Sequence, residues 1–246
     1  MKKFTKHRWW LLTVLMTVPL LAVAAGVPNI FTSGTVISST QVNDNFKNVT
    51  DRLTTLEAAG RTSTYVRWGR TVCPTGATVV YTGYAAGGSY NPTATANIFG
   101  SGSNTLCLHD TPQWLVYDDA VNDGAFIFGT EYETNGRGIP TLNALQNFDA
   151  TCVVCEVPRP AQLMIPGRTS CPTGWALEYN GYLMASHHTH AQSDWTCVDA
   201  APEMAGSSAN SDGHLFYPTE VQCGSLLCQN GGYVQNREVT CAVCTK

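Results

Sequence analysis

Thr151-Cys152-Val153-Val154-Cys155-Glu156-Val157 and, 89 residues further on, Thr240-Cys241-Ala242-Val243-Cys244-Thr245 decide how this chain folds. Each run sets apolar, mostly β-branched residues between two cysteines. That composition favours a strand over the helix N-terminus of a thioredoxin-type redox centre or the knuckle of a zinc site. In a strand, positions i and i+3 point to opposite faces, so Cys152 and Cys155 look towards separate partners. Structural disulfides, rather than metal or redox chemistry, are the expectation for both pairs.

Working outward from these runs, the chain repeats itself. Gly69-Arg70-Thr71-Val72-Cys73-Pro74-Thr75-Gly76 returns as Gly167-Arg168-Thr169-Ser170-Cys171-Pro172-Thr173-Gly174, and Val80-Tyr81-Thr82-Gly83-Tyr84 as Glu178-Tyr179-Asn180-Gly181-Tyr182. Leu106-Cys107-Leu108 with Pro112 matches Thr196-Cys197-Val198 with Pro202, and Phe128-Gly129-Thr130-Glu131 matches Tyr217-Pro218-Thr219-Glu220. The offset drifts from 98 to 89 residues, which places deletions in loops while the cysteine frame holds. Two tandem β modules, 62–158 and 159–246, are therefore expected. Low charge (13%), 22 glycines and 12 prolines agree with short strands and tight turns, and with an all-β, disulfide-stapled fold class.

Copy two carries six cysteines (171, 197, 223, 228, 241 and 244) and copy one four (73, 107, 152 and 155). The counterparts of Cys223 and Cys228 fall near Thr134 and Ile139, so the two are absent together and are expected to bond each other. Each Cys-x-x-Cys is then left to the two earlier cysteines of its own copy. Spacing alone leaves nested and crossed pairing both open.

The N-terminus reads as an export signal. Lys2, Lys3, Lys6 and Arg8 precede an apolar run from Trp9 to Leu21, broken by Pro19, and Ala22-Val23-Ala24 supplies a cleavage site, so residues 1–24 form the expected signal peptide. Ten cysteines in an exported chain are expected to oxidise in the periplasm or outside the cell. Without the leader, 10 basic residues face 18 acidic ones, a formal charge of −8 that argues against nucleic acid or anionic lipid as a partner. Nothing beyond Ala25 approaches a transmembrane length.

Residues 25–39 read as an extended linker. From 40 to 60, Val42, Phe46, Val49, Leu53 and Leu56 recur at spacings of 4, 3, 4 and 3, an a/d heptad seam ended by Gly60. A helix with so narrow a stripe is marginal alone in water. It gains most by pairing with copies of itself in a short parallel coiled coil; the alternative is a lone amphipathic helix packed on its own domain.

Cys152-Val153-Val154-Cys155-Glu156-Val157-Pro158, followed by Ile165-Pro166, Cys171-Pro172, Gly174-Trp175 and Gly181-Tyr182, resembles the junction between the two halves of the non-collagenous C-terminal domain of type IV collagen. The stretch from Tyr65 to Lys246, ending Asn236-Arg237-Glu238-Val239-Thr240-Cys241-Ala242-Val243-Cys244-Thr245-Lys246, resembles the C-terminal domain of sponge short-chain, spongin-type collagens more closely still. The resemblance implies disulfides Cys73 to Cys155, Cys107 to Cys152, Cys171 to Cys244, Cys197 to Cys241 and Cys223 to Cys228, a nested pattern compatible with strand geometry. It also implies a domain that selects and registers chains for trimer assembly. There is no Gly-X-Y tract, so no collagen triple helix precedes the domain; the heptad segment stands in its place.

His187, His188 and His190 form the one dense cluster of potential metal ligands, a weak candidate because copy one has no echo of it at Gly87 to Tyr90. Asp118, Asp119 and Asp194 make no calcium loop. Glu131 and Glu220 occupy equivalent places and read as a shared structural hydrogen-bonding partner. Tyr84, Tyr182, Trp68, Trp114 and Trp175 read as core or turn-packing aromatics. No nucleophile elbow, phosphate loop or catalytic carboxylate pair is present, so no catalytic residue and no cofactor is assigned. The expectation is a secreted, non-enzymatic structural or assembly module of extracellular-matrix type, homo-oligomeric with a trimer favoured. An adhesin or glycan-binding protein on a coiled-coil stalk is the alternative, and a metal-dependent enzyme using the histidine loop comes third.

Overall fold

The computed structural model describes residues 26–58, 60–91, 101–122, 124–228 and 232–246; the expected signal peptide lies outside the described residues. The chain divides into two compact units that meet between Ala58 and Ala59.

In the first unit, helix α1 spans Ser39–Ala58. Its start is set by a capping box: the Ser38 hydroxyl accepts from the Gln41 backbone N–H at 3.2 Å, and the Gln41 amide oxygen accepts from the Ser38 N–H at 3.3 Å. The segment before it is not the extended linker read from the sequence. A turn closes between Thr32 and Thr35, and Asn29 exchanges hydrogen bonds with Asn45 on the helix at 2.8 and 2.7 Å. Asn and Thr side chains that satisfy nearby backbone groups fold the segment back, a local chemistry hidden in a merely polar composition.

The second unit holds ten strands. Copy one contributes β1 (Ser63–Trp68), β2 (Thr78–Gly87), β3 (Leu106–His109), β4 (Phe128–Tyr132) and β5 (Thr151–Val157). Copy two contributes β6 (Gln162–Pro166), β7 (Ala176–Ala185), β8 (Thr196–Asp199), β9 (His214–Pro218) and β10 (Thr240–Thr245). The strands pair in the same way in both copies, always antiparallel: β1 and β2 flank β5 as β6 and β7 flank β10, while β2 also pairs β3 and β4 as β7 pairs β8 and β9.

Between the copies the pairing is parallel. Strand β1 meets β8 at Trp68 and Val198, and β4 meets β9 from Thr130 with His214 to Tyr132 with Phe216. These two seams close a circuit of strands through β7, β8, β1, β5, β2, β4 and β9. Both hydrophobic cores draw on both copies: one packs Tyr65, Val153 and Val157 with Tyr179 and Val243, the other Tyr132, Leu142 and Leu145 with Met184 and Phe216. The modules expected over 62–158 and 159–246 are thus halves of one unit rather than separate domains.

Cys152 and Cys155 on β5, like Cys241 and Cys244 on β10, are fully buried and reach away from each other. The disulfides join Cys73 to Cys155, Cys107 to Cys152, Cys171 to Cys244, Cys197 to Cys241 and Cys223 to Cys228, and every described cysteine is paired. Each of the four long bonds closes 44 to 82 residues, worth about 4 kcal/mol in the chain-entropy account. Copy one replaces the short Cys223–Cys228 bridge by packing. There the Thr134 hydroxyl donates to the Leu142 carbonyl at 2.7 Å, and Ile139 leads a 3-10 helix (Pro140–Leu145) into the core. Among the described residues no helix is long and apolar enough to cross a membrane.

Candidate assembly surface

The two seams define what each strand edge needs. On β1, the Arg67 guanidinium ion-pairs with Asp199 of β8 at 2.7 Å, and Tyr179 donates to the Val66 carbonyl at 2.9 Å. Just beyond β1, Gly69 takes φ +85° with its Cα pressed against Pro202 and Val198, closeness that only glycine permits there. Its carbonyl accepts from the Glu203 N–H at 2.7 Å. Arg70 donates to the Ala201 carbonyl at 2.8 Å and ion-pairs with Glu203 at 3.1 Å, while the Thr71 N–H and hydroxyl donate to the same carboxylate at 3.0 and 2.7 Å. Copy one thus plugs β1 and its following turn onto β8.

Among the described residues the duplicated parts of this seam are unfilled. Strand β6, the counterpart of β1, pairs with β10 alone, and Leu163 stands exposed on it. Strand β3, the counterpart of β8, pairs with β2 alone; Leu106 and Leu108 are 42% and 38% exposed, where Thr196 and Val198 of β8 are buried.

The second seam repeats the pattern. Leu215 and Phe216 are buried against β4, whereas their counterparts Phe126 and Ile127 are 44% and 49% exposed. Between β3 and β4 the chain carries Trp114-Leu115-Val116-Tyr117, all exposed, where copy two has Met204-Ala205-Gly206-Ser207. An apolar patch of this extent beside two open strand edges marks an interaction surface. It corrects the reading of two aromatics: Trp114, 73% exposed, and Tyr84, also exposed, are not core residues, while Trp68, Trp175 and Tyr182 are partly buried. Aligning the copies residue by residue would have found the signal, since four large apolar residues at 114–117 face only Met204 and Ala205 followed by Gly206 and Ser207.

On α1 the predicted seam Phe46, Val49, Leu53 and Leu56 is exposed and Val42 half-buried. Among the described residues of the first unit, nothing covers that stripe.

His187 and His190 are half-buried rather than lying in a freely solvated loop. His187 packs on His188 and Tyr217, and His190 stands edge-on to Tyr90, from the loop that is its own counterpart in copy one, at 4.8 Å. Burial first and neighbouring charge second hold both imidazoles below the usual histidine range. They line, with Arg137, Trp195 and Tyr217, a cleft of about 860 Å³. The rings of His188 and His190 pack on His187 at tilts of 39° and 49°, and the metal-competent grouping of side chains that the described residues do contain involves none of the three. Glu131 and Glu220 do not share a role either: Glu131 is buried in the seam and Glu220 is exposed.

No protein-family model matches the chain.

Proposed function

We propose that the chain is a secreted, non-enzymatic assembly module. Its β units join head to tail by placing β6 of one chain on β3 of the next, as β1 already lies on β8, with 125–127 receiving a neighbour's strand as 214–216 receive β4. The observation that carries this is the cut seam: among the described residues β6, β3 and 125–127 repeat parts used inside the chain and stand open and largely apolar, while the copy-two counterpart of the β4 edge, 219–221, is polar or buried and bonded within its own copy. Such a contact is heterologous, so it closes into a ring or continues as a fibre. The resemblance to collagen IV-type C-terminal domains favours closure with three chains and six modules. The exposed heptad stripe of α1 supplies a second, independent contact as a parallel coiled coil. The leader and the fully paired cysteines support export.

Native mass measurement of the full exported chain tests this. A trimer is expected, weakened by Leu106→Lys with Leu108→Lys, weakened but retained when residues 40–60 are deleted, and reduced to monomer when the two changes are combined. A monomer at micromolar concentration would overturn the proposal. A second reading has its own support in the cleft beside Trp195, which is 64% exposed next to Tyr217, an aromatic pair suited to stacking on sugar rings. A blank glycan array would remove it.

A further inference from the structure

Glu131, Glu133 and Asp212 meet where β4 leaves the parallel seam and the loop before β9 folds over it. One carboxylate oxygen of each lies within 4.8 Å of the other two. Carboxylates so close repel one another unless a proton or a cation intervenes. Among the described residues, no lysine or arginine forms an ion pair with any of them.

A second observation points to a ligand. Glu131 is only 4% exposed, and while its Oε1 accepts from the Ser211 N–H at 3.0 Å, its Oε2 is fully buried without a partner. A buried polar atom left unpaired costs free energy, which makes this oxygen a vacancy for a positive ligand. Burial, reinforced by the charges of Asp212 and Asp149, raises the Glu131 carboxyl above its usual range in the chain alone, partly offset by the backbone N–H groups of Ser211 and Asp212. The neighbours hold the other two side chains: Gln146 donates to Glu133 Oε2 at 2.6 Å, and Asn210 to Asp212 Oδ2 at 3.4 Å.

We infer that Glu131, Glu133 and Asp212 bind a hard divalent cation, calcium above all, which clamps copy one to the loop of copy two that covers it. The donor set is all oxygen and all anionic, which excludes soft metals and suits the flexible coordination of calcium. The two glutamates come from one side of the seam and the aspartate, at φ +40°, from the other, so binding stiffens the junction between the copies. This site does not require chain assembly, but it borders the histidine cleft, since the charge of Asp212 acts on His190 and those of Glu133 and Asp212 on Tyr217.

Terbium luminescence on the full oxidised chain tests the site, because Tyr132 adjoins Glu131 and Glu133 and would sensitise a bound lanthanide. Saturable terbium binding displaced by calcium is expected, with a calcium dissociation constant on the order of 10⁻⁴–10⁻³ M, as in extracellular modules. Glu133→Gln and Asp212→Asn, both partly exposed and so able to fold, should each weaken calcium at least about tenfold while leaving the melting temperature in chelator no lower than that of the parent, because the carboxylate repulsion is relieved. The inference is overturned if calcium does not displace terbium at about 10 mM, or if both variants bind like the parent. It also fails if Glu131→Gln raises the melting temperature while calcium leaves that of the parent unmoved, since Glu131 would then be a protonated structural acid.

Discussion

Strands β3 and β8 hold the same place in their copies, carry the same disulfide to β5 or β10, and lie across the same glycine of β2 or β7, yet one is exposed and the other wholly buried. The difference lies in the neighbour. Strand β8 has β1 on its outer edge and β3 has none, although β3 is the more apolar of the two, with Leu106 and Leu108 in place of Thr196 and Val198. A strand edge meant for solvent is normally guarded by charge, proline or a bulge. Strand β3 carries no proline or bulge, and Asp110 beside His109 at its end is the carboxylate nearest it in the chain, so its outer edge is lightly guarded.

Acid separates the copies most strongly. His214 lies in the filled seam, its Nδ1 2.9 Å from the Thr130 hydroxyl and its Nε2 unpaired, and burial lowers its imidazole to about 4; its counterpart in copy one is Ala125. A folded value below the unfolded one of about 6.5 means that stability is full above that pH and is lost as pH falls towards 4. The loss approaches about 3 kcal/mol below pH 4. Denaturant titrations at a series of pH values should show it, and His214→Gln should abolish that share. A slope identical in the two proteins would break the assignment.

Glycine substitution comes next. A Cβ on Gly181 would stand 1.7 Å from the Val198 carbonyl oxygen, and one on Gly83 1.9 Å from that of Leu108. Strand β8 is clamped from both sides, so Gly181→Ala should cost about 2 kcal/mol, an overpacking value. Strand β3 is free to retreat, so Gly83→Ala should cost less than half of that in the monomer. Melting curves below and above the assembly concentration sharpen the comparison, because the gap should close once β3 gains a neighbour.

The smallest effect is at the paired arginines. Arg70→Ala removes the contacts to Ala201 and Glu203 and should cost about 1 kcal/mol, the range of a partly exposed ion pair with its hydrogen bond. Arg168, whose described contact is a 3.5 Å hydrogen bond to Ser170, should be silent in the single chain when changed to Ala. A stability loss at Arg168 equal to that at Arg70 would contradict the open edge.

The all-β class, the strands around each Cys-x-x-Cys and the helix were legible because each depends on local pattern: β-branched residues between cysteines, a heptad, a glycine at its end. The seams were not. Parallel contacts between β1 and β8 or β4 and β9 join residues 84 to 130 positions apart, and no periodicity encodes them. For the same reason Glu131 read as one of a repeated pair with Glu220, when its environment is set by Asp212, and Trp114 read as a core or turn-packing aromatic because aromatic content says nothing of where its ring is covered. The carboxylate cluster escaped notice because its members lie on two loops and a strand end, not in one binding loop.

The outer disulfides also set how the β unit answers tension. A pull applied at Ser63 and Lys246 passes along the backbone to Cys73, crosses to Cys155, follows the junction to Cys171 and crosses again to Cys244. The chain inside those two bridges is bypassed, so only 63–73, 155–171 and 244–246 can lengthen before a covalent bond must break. Under load the unit is a short, nearly inextensible link, and any give in an assembly built from it must come from elsewhere than its strands.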